Sequence, residues 1–317
     1  MVSNLEKHLW NGQRYHSLNY HLQQIYGEKV YKLAIDGGFT CPNRDGTLGE
    51  RGCIFCSAGG SGDFAASRTL SITEQIAAGK ELLKNKNTGH KYIAYFQAFT
   101  NTYAPVERLR KLYLEAMVHP DIAGIAIGTR PDCLGDDVLD LLNELNRIKP
   151  VMVELGLQTI HEKTAEFIRR GYPIKTFETA VQNLRSIGIE VVVHTILGLP
   201  GESEAAMLET ANYLAALKID GIKPQLLHVL QHTDLATYYE KTHFHILTEE
   251  EYIDILIKTI EILHPNTVIH RLTGDGPKNI LIAPLWSGNK KKVLNDIHHE
   301  FKIRDTWQGR LCKEAYL

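Results

Sequence analysis

Three cysteines lie close together near the start of the chain: Cys41, Cys53 and Cys56. The last two form a Cys-x-x-Cys pair, and the three fall within sixteen residues of a chain that holds five cysteines. Thiolates are soft ligands that select iron–sulfur clusters or zinc. Three of them can hold three irons of a four-iron cluster and leave the fourth iron open for a reaction. The loop is therefore predicted to be the site of a reactive iron–sulfur cluster.

A structural zinc site is the main alternative for the same residues. Such a site needs four protein ligands, and the loop supplies only three. His21 precedes a predicted strand and His90 follows a predicted helix, so a fourth ligand would have to come from a distant part of the chain. The other cysteines, Cys133 and Cys312, lie outside any motif. A zinc-stabilised RNA- or protein-binding module without catalysis therefore stays open as an alternative.

Size and composition bound the remaining possibilities. The chain has 317 residues, a net charge of −2 at pH 7 and 44% hydrophobic residues, enough to fill one large α/β domain. This charge balance does not indicate a nucleic-acid-binding coat, so only a local basic patch could contact RNA. The N-terminus has no apolar signal-peptide core, and no stretch reaches the ~20 apolar residues that span a bilayer. We expect a cytoplasmic protein with no membrane association and with reduced thiols.

Apolar strands alternate with amphipathic helices along the middle of the chain. The first predicted strand, residues 30–35, leads directly into the cysteine loop. Further strands are predicted at 92–97, 122–127, 151–157, 190–197 and 221–230, and helices at 72–84, 106–118, 136–146, 162–169, 176–187 and 204–217. This alternation indicates a parallel sheet covered by helices, and six right-handed repeats curl such a sheet into a partly open barrel. The C-terminal ends of the strands should carry the reactive site.

We predict one catalytic barrel with extensions at both ends. Its boundaries are residues 1–29 for an N-terminal extension, 30–235 for the (βα)6 barrel and 236–317 for a C-terminal extension packed on the barrel. The last segment is expected to contain a helix at 249–263, a short strand at 268–272 and a basic amphipathic tail. The predicted fold class is therefore α/β, a partial TIM-like barrel.

The cysteine loop resembles that of the radical S-adenosylmethionine (SAM) superfamily. A Cys-x-Phe-Cys ending, with Phe55 inside it, follows the first strand of a predicted (βα) barrel. The gap between Cys41 and Cys53 is eleven residues, longer than in the common superfamily motif, and it resembles the catalytic subunit of Elongator. The resemblance implies a [4Fe–4S] cluster on the three cysteines, SAM bound at the open iron, and a 5′-deoxyadenosyl radical that abstracts hydrogen from a substrate. It also implies that Phe55 shields the cluster.

Further SAM contacts are implied within and after the predicted strands. The backbone of Gly59, Gly60 and Ser61 would face the SAM ammonium, although Ser61 stands where the superfamily has an acidic residue. Asn101 and Arg130 follow strands and are predicted to position SAM or substrate, or else to cap loops. The predicted SAM site is completed by three residues at the ends of later strands: Gln158, Gly198 and Gln225.

Glu154 is a carboxylate inside an apolar strand. Burying it there is costly unless it is paired or faces a polar cavity. It is predicted to contact the ribose hydroxyls or the ammonium of SAM. A structural salt bridge, with Arg130 or Arg169 as the partner, stays open as the alternative.

Nearly the whole chain is similar to the bacterial YhcC/YtqA (MnmL-like) family. The similarity is carried by residues 33–46, 95–103, 128–132, 154–159, 271–276 and 283–286. It implies modification of the wobble uridine of tRNA, in which 5-carboxymethylaminomethyl uridine becomes 5-aminomethyl uridine. It also implies a flavodoxin- or ferredoxin-type electron donor and a methyltransferase acting afterwards in the pathway. A radical SAM enzyme acting on a small molecule stays open as an alternative.

Basic and aromatic residues near both ends of the chain form a candidate RNA surface. Basic side chains suit phosphates, and aromatic rings suit splayed bases. An ordinary solvated helix face is the alternative. The predicted RNA-contacting residues are Trp10, Arg14, Tyr15, Lys290, Lys291, Lys292 and Arg310.

Overall fold

The computed structural model describes residues 9–60, 62, 65–86, 89–274 and 276–313. Its strands are β1 (Tyr31–Ile35), β2 (Tyr92–Phe96), β3 (Ile122–Thr129), β4 (Val151–Gln158), β5 (Glu190–Leu197), β6 (Gly221–Leu226), β7 (Val229–Leu230), β8 (Val268–Ile269) and β9 (Leu281–Ala283). Within the described residues, seven strands form one sheet in the order β1-β2-β3-β4-β5-β6-β8, and β7 pairs with β9. The pairings β1–β2, β2–β3, β3–β4 and β6–β8 are parallel, whereas β7–β9 is antiparallel.

The helices alternate with the strands of the sheet. They are α1 (Leu18–Tyr26), α2 (Ile72–Leu83), α3 (Val106–Met117), α4 (Asp136–Asn146), α5 (Glu162–Phe167), α6 (Ile174–Ser186), α7 (Glu204–Ala216), α8 (Asp234–Thr242), α9 (Glu249–Ile262) and α10 (Lys290–Ile303). In α4, for example, Val138, Leu141, Leu142 and Leu145 form the buried stripe that helical spacing predicts. No helix in the described ranges has both the length and the apolar content to cross a membrane.

All six predicted strands are confirmed, and the differences concern the end of the sixth strand, the short strand near residue 268 and two helices. The strand predicted at 221–230 ends at Leu226. Residues 227 and 228 separate it from β7, and β7 pairs with β9 and not with a strand of the main sheet. The short strand predicted at 268–272 joins the main sheet as its seventh strand. Helices α1 and α8 were not predicted. The reason for α1 is that Leu22 is its single buried residue, so the apolar periodicity is weak.

The chain divides into two compact units. The cysteine unit consists of Leu22–Gly156 and Gly171–Val192. The C-terminal unit consists of Met1–His21, Leu157–Arg170 and Val193–Leu317. The cysteine loop belongs entirely to the cysteine unit. The predicted boundaries of barrel and extensions stay a prediction.

The core of the cysteine unit holds the loop that follows β2. Phe96 and Tyr113 are fully buried, and their rings meet edge to face with centroids 5.0 Å apart. The Tyr113 hydroxyl donates to the backbone carbonyl of Asn101, and burial raises its pKa well above the usual range. An aromatic pair of the core thus fixes a loop at the C-terminal edge of the sheet.

Helix α2 follows the cysteine loop and begins with a capping box. The Ser71 hydroxyl accepts the backbone N–H of Glu74, and the Glu74 carboxylate accepts the backbone N–H of Ser71 at 2.7 Å. Each side chain thus satisfies one of the helix donors that otherwise has no partner. The cap fixes the point at which the chain passes from the loop region into regular helix.

Replacing Ser71 by alanine should lower the free energy of unfolding by about 1 kcal/mol, because the Glu74 N–H loses its acceptor. Urea denaturation measures this change. The control is Ser186→Ala at the exposed end of α6, where the hydroxyl donates to the Asn183 carbonyl. We expect a change within about 0.5 kcal/mol for that control. Equal losses in the two variants would contradict the assignment of the cap.

Candidate functional site

Two residues just after the first cysteine fold the loop back onto the other two cysteines. The Arg44 guanidinium donates to the backbone carbonyls of Cys56 at 3.0 Å and Ser57 at 2.7 Å. The Asn43 side-chain amide donates to Sγ of Cys53, with 3.6 Å between nitrogen and sulfur. These bonds close the eleven-residue gap, so residues far apart in the loop meet at its base.

The sulfur of Cys53 lies deep in this base. The pKa of its thiol is raised to about 12, mainly by burial and then by the charges of Cys56 and Cys41, while Arg130 and Asn43 act in the opposite direction. The residue as a whole is half-buried. Burial thus disfavours the thiolate of Cys53 unless a cation is bound to it.

The donor set fits an iron–sulfur cluster. All five cysteines are described, and none forms a disulfide. Among the residues that the structure describes, no three His, Cys, Asp or Glu side chains are grouped so as to hold a single metal ion. A four-iron cluster places each cysteine sulfur on a different iron, so its ligands need not converge on one point. Assignment of Cys41, Cys53 and Cys56 as the ligands stays a prediction.

Arg130 is a buried cation beside the cysteine loop. Its Nε and Nη2 atoms donate to the two carboxylate oxygens of Asp132 at 2.9 and 2.7 Å, and its guanidinium lies 5.0 Å from the centre of the Tyr172 ring. Burial opposes the charge, but Asp132 outweighs it and raises the pKa of Arg130. A negative charge on Cys41 also raises the pKa of Arg130. Arg130 is thus a guanidinium held in place by an ion pair, and its predicted contact with SAM or substrate stays a prediction.

Glu154 is paired with Lys32, a partner that sequence reasoning did not name. The Lys32 ammonium lies 2.6 Å from the Glu154 carboxylate, and the two side chains are 15% and 0% exposed. The ammonium also lies 5.1 Å from the centre of the Tyr95 ring. A charge with no exposure needs such a partner, because its desolvation costs several kcal/mol (~3–5) if it is left alone. The predicted contact of Glu154 with SAM stays a prediction.

The glycines after the third cysteine form a tight turn against the loop that follows β2. Gly60 has a φ of +55°, and a Cβ there would lie 2.4 Å from the Phe99 ring. Its carbonyl accepts the backbone N–H of Phe99 at 2.8 Å, and the carbonyl of Gly59 accepts another backbone N–H. Phe55 is half-buried in the same loop. Ser61 lies outside the described residues, so the predicted SAM contact of this turn is not tested there.

Asn101 joins the loop after β2 to the end of β3. The residue is fully buried, and its side-chain amide donates to the Gly128 carbonyl at 2.8 Å. Its Oδ1 atom has no hydrogen-bond partner in the described part of the chain. The position therefore ties two loops together, and its predicted contact with SAM or substrate stays a prediction.

Three further predicted SAM residues belong to the C-terminal unit. Gln158 ends β4 with a φ of +68°. Gly198 has a φ of +89°, and a Cβ there would lie 3.1 Å from the Leu247 side chain. The Gln225 amide lies 3.2 Å from Nδ1 of His194. These positions have unusual backbone or polar pairing, but their contacts with a cofactor stay predictions.

The candidate RNA surface, also in the C-terminal unit, is rich in internal pairing. Three of its basic residues form the ion pairs Arg14–Asp305 at 2.9 Å, Lys292–Asp296 at 2.7 Å and Arg310–Glu261 at 2.7 Å. Tyr15 is 8% exposed, and its hydroxyl lies 3.2 Å from Nε2 of His298. Trp10 is half-buried near the start of the chain, and Lys290 and Lys291 begin α10. The paired charges have less attraction left for phosphate than their residue types indicate.

Lys32, Asn43 and Arg44 were missed by sequence reasoning. Lys32 could have been found, because a charged residue within a predicted apolar strand is the same signal that drew attention to Glu154. Asn43 and Arg44 carry no such signal. Their partners depend on how the loop folds back, which neither spacing nor residue type predicts.

Two sequence models match successive parts of the chain. The model of the radical SAM superfamily matches residues 45–214, and the model of the radical SAM C-terminal domain matches residues 219–302. The first match covers more than half of the chain but begins after Cys41. It therefore identifies the superfamily without testing the full set of three cysteines.

The chain is also similar to individual proteins along most of its length. It is 48% identical to YtqA of Bacillus subtilis over 308 residues, which cover 97% of this chain and 94% of that protein. It is 27% identical to the tRNA uridine(34) acetyltransferase of Methanocaldococcus jannaschii over 192 residues, which cover 60% of this chain and 34% of that protein. The second match is partial, so it bears on the shared region only.

Solved structures confirm the fold class. The archaeal Elp3 of Methanocaldococcus infernus superposes with a TM-score of 0.68 at 17% identity, covering 88% of this chain and 64% of that one. At this level of identity the likeness concerns the fold alone. The predicted α/β partial barrel is confirmed by this likeness together with the order of the strands.

Replacing Lys32 by methionine should lower the free energy of unfolding by about 3–5 kcal/mol, because the buried carboxylate of Glu154 loses its counter-charge. The double variant Lys32→Met/Glu154→Gln serves as the matched control and should recover most of that loss. Urea denaturation of the metal-free protein gives both values. Unchanged stability in Lys32→Met, or a double variant no better than the single one, would contradict the importance of the pair.

Proposed function

The chain belongs to the radical SAM superfamily, and from this premise we propose that it modifies the wobble uridine of tRNA. The superfamily works with a [4Fe–4S] cluster and SAM, which are therefore the cofactors of this enzyme. When bound, the cluster supplies one electron to the SAM sulfonium, and a 5′-deoxyadenosyl radical and methionine result. The proposed reaction on tRNA converts 5-carboxymethylaminomethyl uridine to 5-aminomethyl uridine.

The observation that carries the proposal is the closed cysteine loop. Arg44 binds the carbonyls of Cys56 and Ser57, and Asn43 binds the sulfur of Cys53, so side chains of the loop itself hold the cysteines together. A preformed set of three thiols suits a cluster with one iron open to SAM. We assign Cys41, Cys53 and Cys56 as its ligands.

Residues of the cysteine unit would hold anionic and polar parts of the cofactor in place. Arg130 is fixed by Asp132 and Tyr172, and its charge can attract a carboxylate. Glu154 is fixed by Lys32 and can accept hydrogen bonds from hydroxyls. In both cases a partner restricts the side chain in advance, which lowers the entropic cost of binding.

Support for tRNA as the substrate comes from similarity. A relative that matches 60% of this chain is a tRNA uridine(34) acetyltransferase. The sequence similarity to YtqA extends over nearly the whole chain. The charge of the C-terminal unit adds little, because three basic residues of the candidate RNA surface are paired with acids. A flavodoxin- or ferredoxin-type donor and a later methyltransferase stay predictions.

Replacing Cys53 by alanine should remove the cluster, because two thiolates of the loop cannot hold a four-iron cluster with one open iron. After anaerobic reconstitution, the unchanged protein should be brown and contain iron and acid-labile sulfide in equal amounts. Cys53→Ala should be colourless and should not cleave SAM. The control Cys312→Ala, outside the loop, should keep both properties. A colourless unchanged protein holding one zinc ion and no sulfide would contradict the proposal and favour the zinc-stabilised module.

Deletion of the gene should make 5-carboxymethylaminomethyl uridine accumulate in tRNA, because its conversion to the aminomethyl form is lost. Mass spectrometry of tRNA nucleosides measures this change. Complementation with the unchanged gene should restore the profile, and complementation with Cys53→Ala should not. An unchanged profile in a strain whose purified protein still cleaves SAM would reject tRNA and favour a small-molecule substrate.

A further inference from the structure

Asn43 is held next to Cys53 by its side chain and by its backbone. Its amide nitrogen donates to Sγ of Cys53, with 3.6 Å between nitrogen and sulfur. Its backbone carbonyl accepts the N–H of Gly52 at 2.7 Å, next to the same cysteine. The residue is 5% exposed, so water does not compete freely for the amide. The amide is therefore directed at the sulfur by the loop itself.

A positive charge lies in the same small space. A Cβ added to Gly171 would lie 2.9 Å from Oδ1 of Asn43 and 3.2 Å from Nη2 of Arg130. Oδ1 of Asn43 and the guanidinium therefore line one narrow gap at the side of the loop. The charge of Arg130 acts on the Cys53 sulfur in the direction that favours negative charge there. The N–H of Asn43 and the charge of Arg130 thus both favour negative charge on the sulfur of Cys53.

We propose that Asn43 tunes the reduction potential of the cluster through its hydrogen bond to the sulfur of Cys53. The inference rests on the proposed cluster and deepens it, because it concerns the readiness of the cluster to accept an electron. One electron from an external reductant such as dithionite converts [4Fe–4S]2+ to [4Fe–4S]+, and no bond is broken. The added electron increases the negative charge on the sulfurs. A donor N–H aimed at one of them stabilises the reduced form and raises the potential.

The test is a redox titration followed by electron paramagnetic resonance, with no SAM and no tRNA present. The full-length protein is reconstituted anaerobically as the unchanged chain and as Asn43→Leu, whose side chain has the same branching and number of heavy atoms but no N–H. At the midpoint potential of the unchanged protein, the ratio of reduced to oxidised cluster in Asn43→Leu should fall about tenfold, or ~59 mV for one electron. Asn43→Gln keeps a donor and should restore part of the shift.

The matched control is Thr47→Val in the same loop. Its hydroxyl bonds to Tyr103 at 2.9 Å, so the variant removes a hydrogen bond from the loop without touching a sulfur. Its potential should equal that of the unchanged protein. If Asn43→Leu assembles no cluster, the comparison moves to Asn43→Asp and Asn43→Gln, and the aspartate variant should have the lower potential because it has no donor and adds negative charge.

The outcomes distinguish a failure of the proposed role of Asn43 from a failure of the proposed function. An Asn43→Leu protein with a full cluster and an unchanged potential overturns the role of Asn43 and leaves the proposed function intact. Equal potentials in the aspartate and glutamine variants overturn it as well. An unchanged protein that assembles no iron–sulfur cluster removes the proposed function first.

Discussion

A set of cysteines separated by an eleven-residue gap can serve one cluster only if the chain between them folds back. In this protein Arg44 holds that fold by binding two carbonyls beside the third cysteine. Hydrogen bonds from a charged donor are about twice as strong as neutral ones. The guanidinium also lies 5.7 Å from the centre of the Phe99 ring, which packs at Gly60. One side chain thus connects the beginning of the gap with the turn after the third cysteine.

Buried charges in the cysteine unit come in pairs, and this constraint shapes the candidate site. Arg130 is bound by Asp132, and Glu154 is bound by Lys32, in both cases with little exposure to water. Such pairs contribute little net stability compared with apolar packing, but breaking one of them is expensive. Their value lies in fixed geometry, because a charge held in place can meet a charged ligand without reorganisation.

The barrel could be predicted from the sequence because each of its strands is a short apolar run between amphipathic helices. Helix α1 could not, since a single buried leucine leaves no periodic pattern. The three cysteines, Arg130 and Glu154 stood out by residue type and position. The pairing of Lys32 with Glu154 did not, because their strands β1 and β4 are separated by two other strands in the sheet. The acids that pair with the basic C-terminal residues could likewise not be foreseen.

Gly171 lies 115 residues beyond the last cysteine of the loop, yet it occupies the gap between Asn43 and Arg130. Its φ of +84° and the 2.9 Å approach leave no room for even one methyl group. Libraries of variants around the cysteine loop should therefore keep Gly171 unchanged. A side chain there would push against Oδ1 of Asn43 and so displace the amide from the sulfur of Cys53.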